Sequence, residues 1–225
     1  MKIGIFTLTK NRAEYTEKML KALNEKTNLP FDHFVVDQGS TDKTLELLND
    51  FPHPLGNRFV YPLSKNIGIN RAVNFAVDKM QDYDIIIKYD NDMEAITDNW
   101  LIQCLQSMQT KMLLSPYISG LLENRGGVKR TGQVFPNNVS LAYAIGGMVM
   151  IGLKKAWTVD SGGWTIPAAL HAGGDMDFCA KLRLEGYVFA YKEDVIIRHM
   201  DTSQGQIEKY PEYFKLRKLE KVTVL

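Results

Sequence analysis

The chain has 225 residues, with 27 basic and 26 acidic side chains, a formal net charge of +1, and 45% apolar and 24% charged residues. This composition excludes a disordered or fibrous chain, and without a basic excess it argues against a dedicated nucleic-acid binder. The length suits one α/β domain that buries about 70% of its unfolded surface.

In chain order, Ile3–Leu8 is an apolar, β-favouring run that Lys10-Asn11-Arg12 breaks before a helical pattern with Tyr15, Met19, Leu20 and Leu23 on one face. Phe31–Val36 is a second such run. It is punctuated by Asp37 to Asp42 and followed by Leu45, Leu47 and Leu48, a helix that Ser40 or Thr41 is placed to cap. Phe59–Tyr61 predicts a third strand, leading through Asn66-Ile67-Gly68 to a helix with Ala72, Phe75, Ala76 and Met80. Ile85–Tyr89 predicts the fourth strand, ending in Asp90-Asn91-Asp92. Four strand-and-helix units imply a mostly parallel sheet built by right-handed crossovers.

Residues 116–136 carry scattered glycines and charges, and irregular loops or hairpins are expected there. Tyr143–Ile151 predicts a strand, Asp175–Glu185 a helix, and Val188–Ala190 with Val195–Ile197 two closing strands. Beyond Asp201 the chain is polar and basic, with Tyr210, Phe214 and Leu219 at helical spacing. The organisation read from this is one domain over 1–225, with a first half at 1–95 that looks like a nucleotide-binding α/β layer, a second half at 96–200 and a C-terminal tail at 201–225.

Cys104 and Cys179 fall in helical patterns and read as small core residues of a reducing compartment, with a single disulfide left open. Met1–Thr9 has no secretory pattern. The longest apolar stretch, Ala142–Leu153, is shorter than the roughly 20 residues of a membrane span. A cytoplasmic protein, peripheral to the membrane at most, is expected.

Because parallel strands place their carboxyl ends on one edge, four polar groups should converge there: Thr7 to Arg12, Asp37 to Asp42, Asn66 to Asn70, and Asp90 to Asp92. Paired carboxylates at such an edge suit a hard divalent cation, although Asp-Asn-Asp is also good turn chemistry. No P-loop and no G-x-G-x-x-G follows the first strand, which argues against a kinase, an NTPase or a dinucleotide-dependent dehydrogenase. Asp175, at a helix start beside Gly173 and Gly174, is a candidate general base. Asp177 also reads as a first-turn charge complementing the helix dipole. His199 ends a β-like run, where an imidazole could complete a metal shell. His33, His53 and His171 have no such placement, although His171 is close in sequence to the candidate base.

Taken in order, Thr7-Leu8-Thr9-Lys10-Asn11-Arg12, Val35 to Asp42, Asn66-Ile67-Gly68 with Asn74, Asp90-Asn91-Asp92, Gly146 to Ile151, Gly162-Gly163-Trp164, Gly174 to Phe178 and His199 resemble the family 2 type of GT-A fold glycosyltransferases. The resemblance reaches from the N-terminus to about His199. It implies a GT-A fold, a mostly parallel central sheet flanked by helices with a small acceptor-side antiparallel part. It also implies that Thr7, Arg12, Asp37, Asn66, Asp90 and Asn91 line a nucleotide-sugar pocket, with Asp37 reading the uracil edge and Asp90 facing the ribose and sugar. Asp92 and His199 would hold Mn²⁺ or Mg²⁺ at the diphosphate, and Asp175 would take the place of the catalytic aspartate. Gly147, Trp164 and Asp177 would lie on the acceptor side. Three departures stand out: Gly174 where the family usually has Glu, Lys181 in place of a frequent arginine, and Val73 where an arginine commonly precedes Asn74.

The expected function is metal-dependent, inverting transfer of a sugar from a UDP-type nucleotide sugar to a hydroxyl acceptor, with a glycan or lipid-linked glycan precursor as the default acceptor. Two alternatives stay open. One is a non-catalytic nucleotide-sugar or glycan-binding module, motivated by Gly174. The other is a sugar nucleotidyltransferase, whose glycine-rich basic loop is missing between Phe6 and Arg12.

Overall fold

The computed structural model describes residues 1–121, 130–166, 174–200 and Glu208. The four predicted apolar runs form β1 (Ile3–Thr9), β2 (Asp32–Asp37), β3 (Arg58–Pro62) and β4 (Ile85–Tyr89), paired in parallel in the order β3-β2-β1-β4. Parallel neighbours need long crossovers, and α1 (Ala13–Lys26), α2 (Thr44–Asp50) and α3 (Ile69–Asp78) supply them. Pro62 stands in the edge strand β3, where a missing N–H is tolerated.

The second half extends the same sheet with β5 (Met93–Ala95), β6 (Met112–Ser119), β7 (Arg130–Phe135), β8 (Val139–Ala142), β9 (Val149–Leu153) and β10 (Val188–His199). Its helices are α4 (Trp100–Leu105), α5 (Lys154–Trp157) and α6 (Asp175–Leu184). Beyond β4 the order is β9-β6-β10-β8-β7, with β5 paired to β10. Here β9 runs antiparallel to β4 and β6, and β10 runs parallel to β6 but antiparallel to β5 and β8. The expected parallel layer with an added antiparallel part is therefore present.

Alternation along the central strands buries both faces of the sheet. Ile3, Ile5, Ile85, Ile87 and Tyr89 meet Met19, Leu20 and Leu23 of α1 and Trp100 of α4 on one face. Phe6, Phe34, Val36 and Ile86 meet Ala72, Val73 and Ala76 of α3, Trp157 of α5 and Phe178 of α6 on the other. Gly4 allows the second face to close, since a Cβ there would lie 2.3 Å from Met80 Cε. The period of two puts Lys88 and Asp90 on the same side as Ile86. Both cysteines are free and buried, and burial pushes their thiols up to about 12 for Cys104 and about 11 for Cys179, so neither is a reactive thiolate.

Four local expectations are corrected. Ser40 and Thr41 do not cap α2, which starts at Thr44. Asp42 accepts the Thr44 N–H at 3.0 Å, while the Ser40 hydroxyl turns back to Asp37. The strand expected over Tyr143–Ile151 begins only at Val149, as β9, after β8 has ended at Ala142, because the Gly146 and Gly147 N–H groups between them are taken by Tyr191 and Asp175 side chains rather than by a ladder. Strand β6 reaches Ser119, inside the stretch expected to hold irregular loops or hairpins, while β7, starting at Arg130, pairs antiparallel with β8 as a hairpin of the expected kind. Pro116 is accommodated in β6 because the β6–β10 ladder shifts register between Lys192 and Ile196, beside it. Through that same bulge the two expected closing strands are one, β10. His171 and the C-terminal tail lie outside the described residues, apart from Glu208.

His33 is fully buried. Thr7 donates its hydroxyl hydrogen to the Tyr89 carbonyl at 2.8 Å, so the 3.0 Å contact to His33 must be donated by Nε2–H, which leaves Nδ1 a bare acceptor with no partner. Burial, and then the charges of Arg58 and His53, hold the His33 imidazole well below its ordinary value; burial also lowers His53. Both are neutral in the fold and gain protons on unfolding. Stability is accordingly full above about pH 6.5 and falls as pH drops below it, by at most about 1.4 kcal/mol per pH unit for each proton. Melting temperatures between pH 8 and pH 5 should show this fall, and His33→Gln should flatten the slope while leaving the His53 share.

Candidate active site

The carboxyl ends of β1, β2 and β4 are tied together by side chains. Asn11 and Arg12, which follow β1, both adopt left-handed backbone angles (φ 58° and 69°). This turn aims the Asn11 N–H at Ser40 Oγ, 2.7 Å away, and lets Asn11 Oδ1 accept the Thr41 N–H at 2.8 Å. Asp37, at the end of β2, accepts the Ser40 N–H at 3.1 Å as well as its hydroxyl. Asn91 donates inward to Thr9 Oγ1 and Thr16 Oγ1 at 3.1 and 3.2 Å, binding the end of β4 to β1 and α1. Asn66 accepts the Gly68 N–H at 2.8 Å and shapes the entry to α3. Thr7 sits deeper, fully buried between Tyr89 and His33.

Two charged groupings stand on this edge. In the first, Arg12 Nη1 lies 2.9 Å from Asp92 Oδ2, and His199 Nε2 lies 3.7 Å from the same oxygen. All three side chains are mostly buried, so the ion pair is less screened than a surface one. In the second, Lys88, whose side chain is 5% exposed, donates to Asp90 Oδ1 and to the Gly147 carbonyl. Burial pushes the Asp90 carboxyl above its ordinary value, opposed by the Lys88 ammonium and reinforced by Asp92. Asp175, the first residue of α6, accepts the Gly147 N–H through Oδ2 and the Met176 N–H through Oδ1, each at 3.0 Å.

A divalent cation is the group this edge would hold. Two ligands each roughly 2.1 Å from one ion can stand up to roughly 4.2 Å apart, so the 3.7 Å between the Asp92 carboxylate and the His199 imidazole fits a shared cation. Among the described residues no group of three or more His, Cys, Asp or Glu side chains comes together as a metal cage. The chain thus offers a partial shell of the kind that substrate phosphates and water complete.

The acceptor-side residues are placed differently. The Trp164 ring is buried against Phe178, with centroids 5.7 Å apart, so it is part of the core rather than of an open surface. Its backbone is clamped: Trp164 N–H donates to Asn74 Oδ1 and Asn74 Nδ2 donates to the Trp164 carbonyl, both at 2.8 Å. Asn70 Nδ2 reaches the Thr165 carbonyl at 2.6 Å, and Lys181 Nζ the Gly163 carbonyl at 2.9 Å. Asp177 is exposed and pairs with Thr165 and Lys181. Lys88, the clamping contact of Asn70 and the inward role of Asn91 were not legible from the motifs. Lys88 alone left a signal, as a single charge inside an apolar strand.

Clamping by Asn70 and Trp164 also accounts for Gly174. A Cβ at position 174 would lie 2.5 Å from Trp164 Cε3 and 2.6 Å from Asn70 Nδ2. The space a larger residue would occupy is filled. Gly174→Ala is expected to lower stability by about 1–3 kcal/mol through overpacking, visible in calorimetry as a lower melting temperature. Val73, the third departure beside Gly174 and Lys181, is fully buried in the core and has no access to the edge.

The model of the glycosyl transferase family 2 matches residues 5–120. No curated protein sequence matches the chain. Among solved structures, a mannosyltransferase from Pyrobaculum calidifontis in complex with GDP-Man and Mn²⁺ superposes with a TM-score of 0.70 at 16% identity, covering 91% of this chain and 58% of that one. TarS from S. aureus (residues 1–349) in complex with UDP-GlcNAc gives 0.68 at 17% identity, over 99% of this chain and 66% of that one. GalNAc-T7 with UDP, GalNAc and Mn²⁺ gives 0.70 at 11% identity, over 88% and 44%. The chain thus spans less than two thirds of each of these neighbours, and the likeness establishes the shared GT-A fold.

Proposed function

Since the chain belongs to glycosyl transferase family 2, we propose that it transfers a sugar from a nucleoside diphosphate sugar, of the UDP type, to a hydroxyl acceptor with inversion at the anomeric carbon. The observation that carries this reading is the pair of groupings on one sheet edge: Arg12, Asp92 and His199 in one, and Asp90, Lys88, Gly147 and Asp175 in the other. That all the described strands belong to one sheet supports the reading as one domain.

In this reading Asp92 and His199 hold Mn²⁺ or Mg²⁺, and Arg12 leaves its contact with Asp92 to meet a donor phosphate. The cation, when bound, supplies charge stabilisation for the leaving diphosphate. Asp37 and Asn66 border the base and ribose side, with Thr7 and Asn91 supporting the edge from within. Asp90 faces the ribose and sugar. Asp175 accepts the proton of the attacking hydroxyl. Its carboxylate is held on two backbone N–H groups, so its orientation is set before substrate arrives. Gly147, Asp177 and the clamped backbone at Trp164 border the acceptor.

Among the described residues no helix is long and apolar enough to cross a membrane, and a glycan or a lipid-linked precursor reached from the membrane surface is the proposed acceptor. The purified protein should be stabilised by a UDP-sugar only with Mn²⁺ present and should release UDP when acceptor is added, both effects lost to a chelator. Donor binding without any turnover would instead identify a binding module. Failure of every nucleotide sugar to bind would remove the proposal.

A further inference from the structure

The buried ammonium of Lys88 joins two places that the proposed reaction keeps separate. It donates to Asp90 Oδ1, on the donor side, and to the carbonyl of Gly147, whose own N–H donates at 3.0 Å to Asp175 Oδ2. The Asp90 N–H in turn donates to the Met148 carbonyl at 3.0 Å, so the end of β4 and the Gly146–Met148 turn are held at both backbone and side chain. Gly147 has no side chain to fix its backbone, and a Cβ there would stand 3.3 Å from Asp175 Cβ. What holds its conformation is therefore its hydrogen-bond partners. A cation desolvated this far would be costly without fixed partners, and the two that Lys88 has are the Asp90 carboxylate and the turn whose N–H holds Asp175.

We propose that Lys88 is a positioning residue, which couples the donor-side carboxylate of Asp90 to the orientation of Asp175 through Gly147. The assignment rests on the reading of Asp175 as the general base. Its first test, however, needs no turnover.

Hydrogen exchange of peptides covering residues 145–149 should be about 10-fold or more faster in Lys88→Met than in the wild-type chain, because the turn loses its anchor. In transfer assays Lys88→Met should lower kcat by about 10²-fold, the scale expected when a catalytic group is misplaced by about 1 Å, with the donor KM changed less than about 3-fold. Adding Lys88→Met to Asp175→Asn should cost little more, since both act on one step. Should Lys88→Met fail to give a cooperative melting transition, Lys88→Gln, which keeps an N–H donor and drops the charge, carries the same comparisons. Wild-type exchange in the turn overturns the proposal, as does a raised donor KM with unchanged kcat, which would confine Lys88 to donor binding. Faster exchange in a chain whose wild-type form transfers no sugar would uphold the link and remove the proposed function.

Discussion

Asp175→Asn is expected to cut sugar transfer by about 10²–10⁴-fold, the range assigned to a general base, while leaving Mn²⁺-dependent donor binding within about 3-fold of wild type. The two effects separate because of where Asp175 stands. It opens α6 and is held by the N–H groups of Gly147 and Met176, whereas Asp92 and Arg12 belong to the ends of β4 and β1. An asparagine in the same place can still accept one of these hydrogen bonds through its carbonyl oxygen, so the turn at Gly147 keeps a partner. Its amide nitrogen, however, is a donor that cannot take up the acceptor's proton. The measurement is transfer rate beside calorimetric donor affinity. Normal turnover in Asp175→Asn would show that another group removes the proton.

Asp92→Ala should abolish the Mn²⁺-dependent part of donor binding. At a donor concentration of about 100 Kd, a ligand that binds only the folded state adds about 2.7 kcal/mol, which for a chain of this size corresponds to a rise in melting temperature of about 5–10 °C. Wild-type protein should show that rise with a UDP-sugar and Mn²⁺ together, and lose it to a chelator. The Asp92 variant should show none under either condition. Asp92 is singled out over Asp90 because its Oδ2 faces both Arg12 and His199, while Asp90 is engaged by Lys88. His199→Ala should weaken the same effect by about 10-fold rather than erase it, since the carboxylate remains. A full Mn²⁺-dependent shift in Asp92→Ala would relocate the cation.

Much of the architecture was legible from the chain. The strands Ile3–Thr9, Asp32–Asp37 and Ile85–Tyr89 are built on short, mainly apolar runs because they are buried on both faces, and such runs stand out in sequence. The helix over Ala13–Lys26 was visible from the spacing of Tyr15, Met19, Leu20 and Leu23. Their alternation predicted the parallel layer, and the parallel layer predicted that Arg12, Asp37 and Asp92 would share one edge. The second half was harder to read. Strand β6 contains Pro116, and β10 is interrupted by a bulge, so both depend on pairing between residues distant along the chain. The turn at Gly146–Met148 lies between apolar residues that read as one strand, and only side-chain partners from β4, β10 and α6 divide it.

The sequence by itself therefore determined which strand ends carry the acids, the arginine and the histidine, because hydrophobic periodicity and chain order suffice to place an element and its terminus. Only the tertiary structure decided what those side chains face. It turned Asn91 and Trp164 inward, filled the space at Gly174 with Trp164 and Asn70, and set Lys88 between Asp90 and Gly147. Such contacts join residues far apart in the chain, and a side chain's partners follow from how the layers pack, which local propensity does not encode.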